Sequence, residues 1–134
     1  MKKSVHVSGK RKTAVARATA SEGKGRVTIN NISLDLYTPV LSRERIYEPL
    51  RLAGSQVNKI DVSVSVNGGG VSAQSDAARL AIAKALVAFT KSKSLEKTYQ
   101  DYDRQLLVAD VRRKEVHKPN RHGKARARTQ KSYR

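Results

Sequence analysis

Between residues 60 and 91 the chain changes its hydrophobic period across three glycines, and this change limits the fold more than any other feature of the sequence. Ile60, Val62, Val64 and Val66 alternate with Asp61, Ser63, Ser65 and Asn67. A strand sends successive side chains to opposite faces, so this segment buries one face and wets the other. Gly68-Gly69-Gly70 ends it, and from about Ser72 to Lys91 the residues Ala78, Ile82, Ala85, Leu86 and Phe89 fall on one stripe of an Ala-rich helix. A half-buried strand followed by a helix able to cover it points to a sheet with helices packed on one side.

The flanking segments fit that frame. Val5 and Val7 alternate with polar neighbours, Thr13 to Thr19 alternates with small alanines, and Val27 and Ile29 alternate with Thr28 and Asn30. With turns at Gly23 and Gly25 and at Asn30-Asn31, the first thirty-odd residues read as a small antiparallel sheet. Ala14, Ala16, Ala18 and Ala20 give it a face flat enough for a close neighbour. Ser42 is placed to cap a short helix from Arg43 to Tyr47. Pro49 has no amide hydrogen and disfavours helical geometry at Glu48, so the segment to Gly54 is expected to bend or restart there. A last helix is expected from about Ser94 to Val108, capped by Ser94, with Glu96 near its positive end and Leu95, Tyr99, Tyr102 and Leu106 as its apolar stripe. There is no internal repeat. The expected fold class is α+β, a two-layer sandwich of a mostly antiparallel sheet with helices on one face.

After Asp110 the apolar pattern stops. Residues 112–134 carry ten Lys or Arg against the single Glu115, which is +9 of the formal +17 of the whole chain. Pro119, Asn120, Gly123, Thr129 and Ser132 interrupt a segment with little to bury, so it cannot offset its own ordering entropy. The expected organisation is one globular domain, residues 1–111, and an extended basic tail, residues 112–134, disordered when free and able to reach roughly 70 Å. The body has eighteen Lys or Arg and ten acidic residues, so it is basic in its own right.

A pI near 10.6 favours phosphate backbones over acidic small molecules, because Lys and Arg displace the counterions of nucleic acids. No apolar run approaches eighteen residues and no signal-like start is seen, which argues against a membrane partner. The absence of cysteine excludes disulfides, thiolate metal sites and a cysteine nucleophile, and points to an intracellular compartment. With no Trp and one Phe, a stacking platform for unpaired bases is poorly provided, and recognition of backbone and shape is expected instead.

Gly9-Lys10-Arg11-Lys12-Thr13 has the look of a phosphate loop. A Walker loop, however, needs glycine where Ser4 stands and Ser or Thr where Arg11 stands. What remains is a cluster of cations, Lys10, Arg11 and Lys12, followed by Arg17, with Thr13, Val15 and Arg17 on one strand face. It reads either as a solvated run or as a phosphate-contacting patch, and the overall charge favours the patch. Gly68 to Gly70 serves either a tight turn or the approach of backbone amides to a phosphate. His117 and His122 sit among cations that repel a metal ion, and Asp101, Asp103 and Asp110 read as solvating or ion-pairing groups. Neither a catalytic triad nor an acid pair can be drawn, so no enzyme activity, cofactor or small-molecule substrate is expected.

The chain resembles the universal small-subunit ribosomal protein S-nine family, in its archaeal and eukaryotic-type branch. The resemblance spans essentially the whole chain and is carried by Gly9 through Ala18, by Gly25 with Thr28-Ile29-Asn30, and by Pro49-Leu50. It continues in Asp61 through Gly70, Gln74, Ala77 through Leu86, Leu107, Asp110, Arg112 and Glu115, and in the ending Gln130-Lys131-Ser132-Tyr133-Arg134. It implies a fold like domain two of ribosomal protein S-five, with a left-handed crossover, and a cytoplasmic, ribosomal location in the head of the small subunit beside other head proteins. It further implies that Lys10, Arg11, Lys12, Arg17, Arg112, Arg113, Lys114, Lys118, Arg121, Lys124, Arg126 and Arg128 bind ribosomal RNA. Lys131, Tyr133 and Arg134 would reach the peptidyl-site transfer RNA, with Tyr133 departing from the bacterial Ser-Lys-Arg ending. Two other readings stand beside this one: a nucleotide-using enzyme of the same broad fold, motivated by the glycines, and a DNA-compacting protein, motivated by charge alone.

Overall fold

The computed structural model describes residues 3–122 and 124–126. Among these, five strands form one sheet: β1 (Ser4–Arg11), β2 (Ala14–Glu22), β3 (Val27–Ile29), β4 (Ile32–Ser33) and β5 (Ile60–Asn67), in the spatial order β1-β2-β5-β3-β4. Three α-helices accompany them: α1 (Val40–Ala53), α2 (Val71–Thr90) and α3 (Lys93–Tyr102). The β1–β2, β2–β5 and β3–β4 pairs are antiparallel and β3–β5 is parallel. This is the expected α+β class.

The core lies between the sheet and α2. Ala14, Ala16, Ala18 and Ala20 on β2 and Ile60, Val62, Val64 and Val66 on β5 are all buried, and they meet Ala77, Ala78, Ala81, Ile82, Ala85 and Leu86 of α2. Small residues on both sides bring strand and helix backbones close together. A Cβ at Gly9 on β1 would stand 2.7 Å from the Ala77 carbonyl oxygen and 2.8 Å from the Ala81 nitrogen. The opposite face of the sheet carries Ser8, Arg17, Ser63 and Ser65 and is open to solvent.

Four expectations are corrected. The antiparallel sheet of the first thirty-odd residues is only partly formed, because β3 does not follow β2 in the sheet. β5 lies between them. The link from β2 to β3 is drawn across the end of β5, where the Asp61 carboxylate accepts the Lys24 and Arg26 amide N–H groups at 2.9 Å each and the Gly23 N–H reaches the Lys59 carbonyl at 3.0 Å.

The short helix of Arg43 to Tyr47 is instead the longer α1, which begins after Pro39 and runs through Pro49. Ser42 is buried inside it and does not cap it. Ile46, Pro49, Leu50 and Ala53 make a buried stripe whose packing outweighs the one helical hydrogen bond that proline removes. The Pro49 carbonyl also accepts the buried Tyr99 hydroxyl at 2.7 Å.

Helix α3 is capped by Ser92, whose hydroxyl accepts the Leu95 N–H at 3.3 Å, and not by Ser94. It stops at Tyr102 and does not continue to Val108. Asp103 is extended (φ −161°) and its carboxylate accepts the Gln105 N–H at 2.9 Å, starting a 3-10 turn over Arg104–Leu106. Leu95, Tyr99 and Leu106 are buried as expected, whereas Tyr102 is 56% exposed because the helix ends beneath it.

Thr13, finally, lies in the loop between β1 and β2, so only Val15 and Arg17 share the strand face assigned to all three.

Candidate nucleic-acid interface

The β1–β2 hairpin holds the first group of cations. Arg11 pairs with Ala14 across it, leaving Lys12 and Thr13 as a two-residue tip, with Lys12 in the left-handed region (φ 54°). The glycines after β5 support this tip from below. Gly68 and Gly69 have φ of 78° and 66°; a Cβ on Gly68 would collide with the Thr13 carbonyl oxygen at 2.7 Å, and one on Gly69 would crowd the Ala14 nitrogen at 3.1 Å. Close backbone packing and positive φ therefore account for these glycines, which favours their turn reading.

Strand parity sorts the cations. Lys10 is exposed on the outer sheet face, as is Arg17, which stands beside Ser8 and Ser65 in the register. Lys12 is exposed at the tip. Arg11 shares the inward-facing positions of Val5, Val7 and Gly9, and its side chain is only 16% exposed.

The start of the tail returns to this hairpin. The Arg11 Nη1 lies 2.9 Å from an Asp110 carboxylate oxygen, at an angle that leaves this buried nitrogen without a true hydrogen bond, and the Arg11 Nε stands 3.9 Å from Asp76 on α2. Asp110 also accepts the Arg112 amide N–H at 2.9 Å and the Arg112 Nε at 3.0 Å. The Arg112 amide holds the Asp110 carboxyl below the usual carboxylate range, outweighing burial, which comes second and raises it, with the Arg112 and Arg11 guanidiniums adding to the lowering. Arg112, Arg113 and Lys114 thereby line a surface groove of about 600 Å³ with Arg11, Lys12 and Thr13. Two basic segments at opposite ends of the sequence become one basic face.

Farther along, Glu115 pairs with Lys118 at 3.0 Å and Arg126 at 3.1 Å, which lower its carboxyl, Lys118 contributing most. Among the described residues, Lys10, Lys12, Arg17, Arg113, Lys114, Arg121 and Lys124 form no ion pair. Arg128, Lys131, Tyr133 and Arg134 lie outside the described residues.

Asp103 and Asp110, which read in sequence as solvating or ion-pairing groups, are ion-paired, and the sequence does not show what they hold. Arg79 on α2 bonds Glu48 of α1 at 2.6 and 2.9 Å and Asp103 at 3.1 Å, tying three elements together. The signal for Arg11 is its inward strand parity, since an inward-facing guanidinium needs a carboxylate partner. Among the described residues no helix is long and apolar enough to cross a membrane.

The family described as ribosomal protein S9/S16 matches residues 9–134. The chain is 50% identical to the small ribosomal subunit protein uS9 of Methanococcus vannielii, and 49% identical to that of Methanococcus maripaludis strain C7. Each alignment covers 98% of this chain and 99% of the relative. A basic face built from both ends of the chain, on an α+β body matched over nearly its full length, leads to one conclusion: the chain belongs to the ribosomal protein S9/S16 family.

Proposed function

We propose that this protein is a structural constituent of the small ribosomal subunit in the cytoplasm, and not an enzyme. In this reading its basic face binds ribosomal RNA in the subunit head beside neighbouring head proteins, and its tail reaches the peptidyl-site transfer RNA. The observation that carries this is the convergence of Lys12 with Arg112, Arg113 and Lys114 on one groove, in a chain whose relatives are named as small-subunit proteins. Exposed cations displace phosphate counterions, whether unpaired among the described residues, as Lys12 and Lys114 are, or held in exposed pairs that a phosphate can exchange, as Arg112, Lys118 and Arg126 are. Lys10, Lys12 and Arg17 would contact RNA from the body, and Arg112, Arg113, Lys114, Lys118, Arg121, Lys124, Arg126 and Arg128 from the tail. Lys131, Tyr133 and Arg134 would meet the transfer RNA, with Arg134 on a phosphate and Tyr133 available to stack.

The test separates the two ends. Full-length protein should sediment with the small subunit through moderate salt. Deleting Gln130 to Arg134 should leave that sedimentation intact while weakening peptidyl-site transfer RNA binding and frame maintenance. Unchanged transfer RNA binding in the deletion would remove the tail's assigned role, and recovery only in soluble or chromosomal fractions would remove the ribosomal one.

A further inference from the structure

Arg11 sits in sequence between two exposed lysines, yet it alone of the three turns inward. Its ion pair with Asp110, each side chain 16% exposed, has a special place in the connectivity of the molecule. Beyond Val108 the described residues form no helix or strand, and their hydrogen bonds and other ion pairs stay within the segment itself. Arg11–Asp110 is the one polar contact among the described residues that ties this segment back to the body. Asp110 then passes the constraint onward, its carboxylate accepting the Arg112 N–H and its carbonyl accepting the Arg113 Nη1 at 3.3 Å.

We propose that Arg11 is a positioning residue and not a phosphate ligand: acting through Asp110, it fixes the direction in which the basic tail leaves the body and so shapes the groove between Lys12 and Arg113. The consequence for RNA rests on the function proposed above, while the geometry does not. A covered pair with hydrogen bonds on the acid side holds direction better than an exposed one, whose two ends are free to sample water. A tail held in its bound direction has less freedom to lose on binding.

The charge arithmetic makes this separable from plain electrostatics. Replacing Asp110 by Asn adds one unit of positive charge to the protein. If the face worked by Coulomb attraction alone, RNA affinity would rise; if the carboxylate aims the tail, affinity falls. Likewise, loss of a phosphate ligand lowers the salt slope by about one, whereas loss of a positioning residue leaves it in place.

The chain has no cysteine, so spin labels at Gln100→Cys on α3 and Val116→Cys in the tail give a clean distance distribution on the free full-length protein. The distribution should be broader in Asp110→Asn and Arg11→Met than in the labelled parent, and close to the parent in Arg11→Lys. In binding to a small-subunit RNA fragment at fixed salt, Asp110→Asn should be about fivefold weaker than the parent, and Arg11→Met should keep the parent's salt slope. Superimposable distributions in the parent and Asp110→Asn would overturn the proposal, as would tighter binding by Asp110→Asn or a slope reduced by about one in Arg11→Met. If Arg11→Met does not fold, the Asp110→Asn and Arg11→Lys pair still decides. A parent that fails to bind the RNA would sink the functional reading, and the distance measurement would still judge the contact.

Discussion

Replacing Gly9 by Ala adds one methyl group at the tightest point between sheet and helix, next to the cationic hairpin. The new Cβ would stand 2.7 Å from the Ala77 carbonyl oxygen, 2.8 Å from the Ala81 nitrogen and 3.2 Å from the Leu80 Cβ. The two nearest atoms belong to the backbone of α2, so no rotamer change relieves the contact. β1 and α2 must part by about half an ångström, and a gap of that size forfeits roughly a quarter of the dispersion attraction across the contact. The neighbouring alanines of β2 are 0–1% exposed and have no flexible side chains with which to refill the space. Overpacking of this kind costs about 1–3 kcal/mol, and the rigid partners place it near the top of that range. Ala also narrows the unfolded ensemble relative to Gly, which returns about 0.5 kcal/mol. The net expectation is a loss of about 2 kcal/mol, or about 8 °C in melting temperature for a body of this size. Urea unfolding of the full-length protein at constant salt, followed by far-UV circular dichroism, measures it. Gly70→Ala is the control: a Cβ there meets nothing within 4 Å and φ is −102°, so it should lose at most about 1 kcal/mol, the amount by which Ala caps α2 less well than Gly. A Gly9→Ala variant as stable as the parent would refute the argument that β1 and α2 are held at backbone contact.

Two further outcomes follow from the polar groups. Arg79→Met removes the side chain that joins Glu48 to Asp103, and because Arg79 is 12% exposed while its acids are 33% and 39% exposed, water recovers part of the loss. The expected cost is about 2 kcal/mol by urea titration, below the range for a fully buried pair. Asp61, whose carboxyl is lowered first by the Arg26 and then by the Lys24 backbone N–H bonds, contributes stability above the ordinary carboxylate pKa. That contribution disappears as pH falls through the depressed value in the folded state. Between about pH 5 and pH 3 the parent should therefore lose stability more steeply than Asp61→Asn; parallel curves would count against the two N–H bonds.

The parts of this fold legible in the sequence are those fixed by short-range periodicity. The β5 alternation and the α2 stripe emerge with their bounds nearly intact, because each element's own residues decide which face is buried. What sequence does not show depends on partners far along the chain. β3 lies beyond β5 through a parallel ladder of Val27–Ile29 on Val62–Val64, with the Asp61 carboxylate accepting the Lys24 and Arg26 N–H groups of the link. The continuation of α1 through Pro49 turns on a buried stripe, against which a local rule about proline loses. The early end of α3 turns on Asp103, which is engaged by Arg79 of α2 and caps the next turn. The site divides the same way. The exposure of Lys10, Lys12 and Arg17 follows from charge and strand parity, whereas the return of Arg112 to Lys114 to the hairpin required the Arg11–Asp110 contact.

That contact also explains how a chain with 28 basic and 11 acidic side chains can keep a defined shape. The acids are too few to neutralise the cations, so their placement matters more than their number. Asp76, Glu48, Asp103 and Asp110 are spent on arginines that join separate elements, namely Arg11, Arg45 and Arg79. Elsewhere the excess of positive charge must lie at the surface, where water and salt screen its self-repulsion. On the groove side that excess includes Lys12, Arg113 and Lys114, the cations that no acid of the described body neutralises. A polyanion docking there relieves the repulsion that the free protein carries, so the same arrangement that limits the stability of the isolated chain favours the RNA binding proposed above.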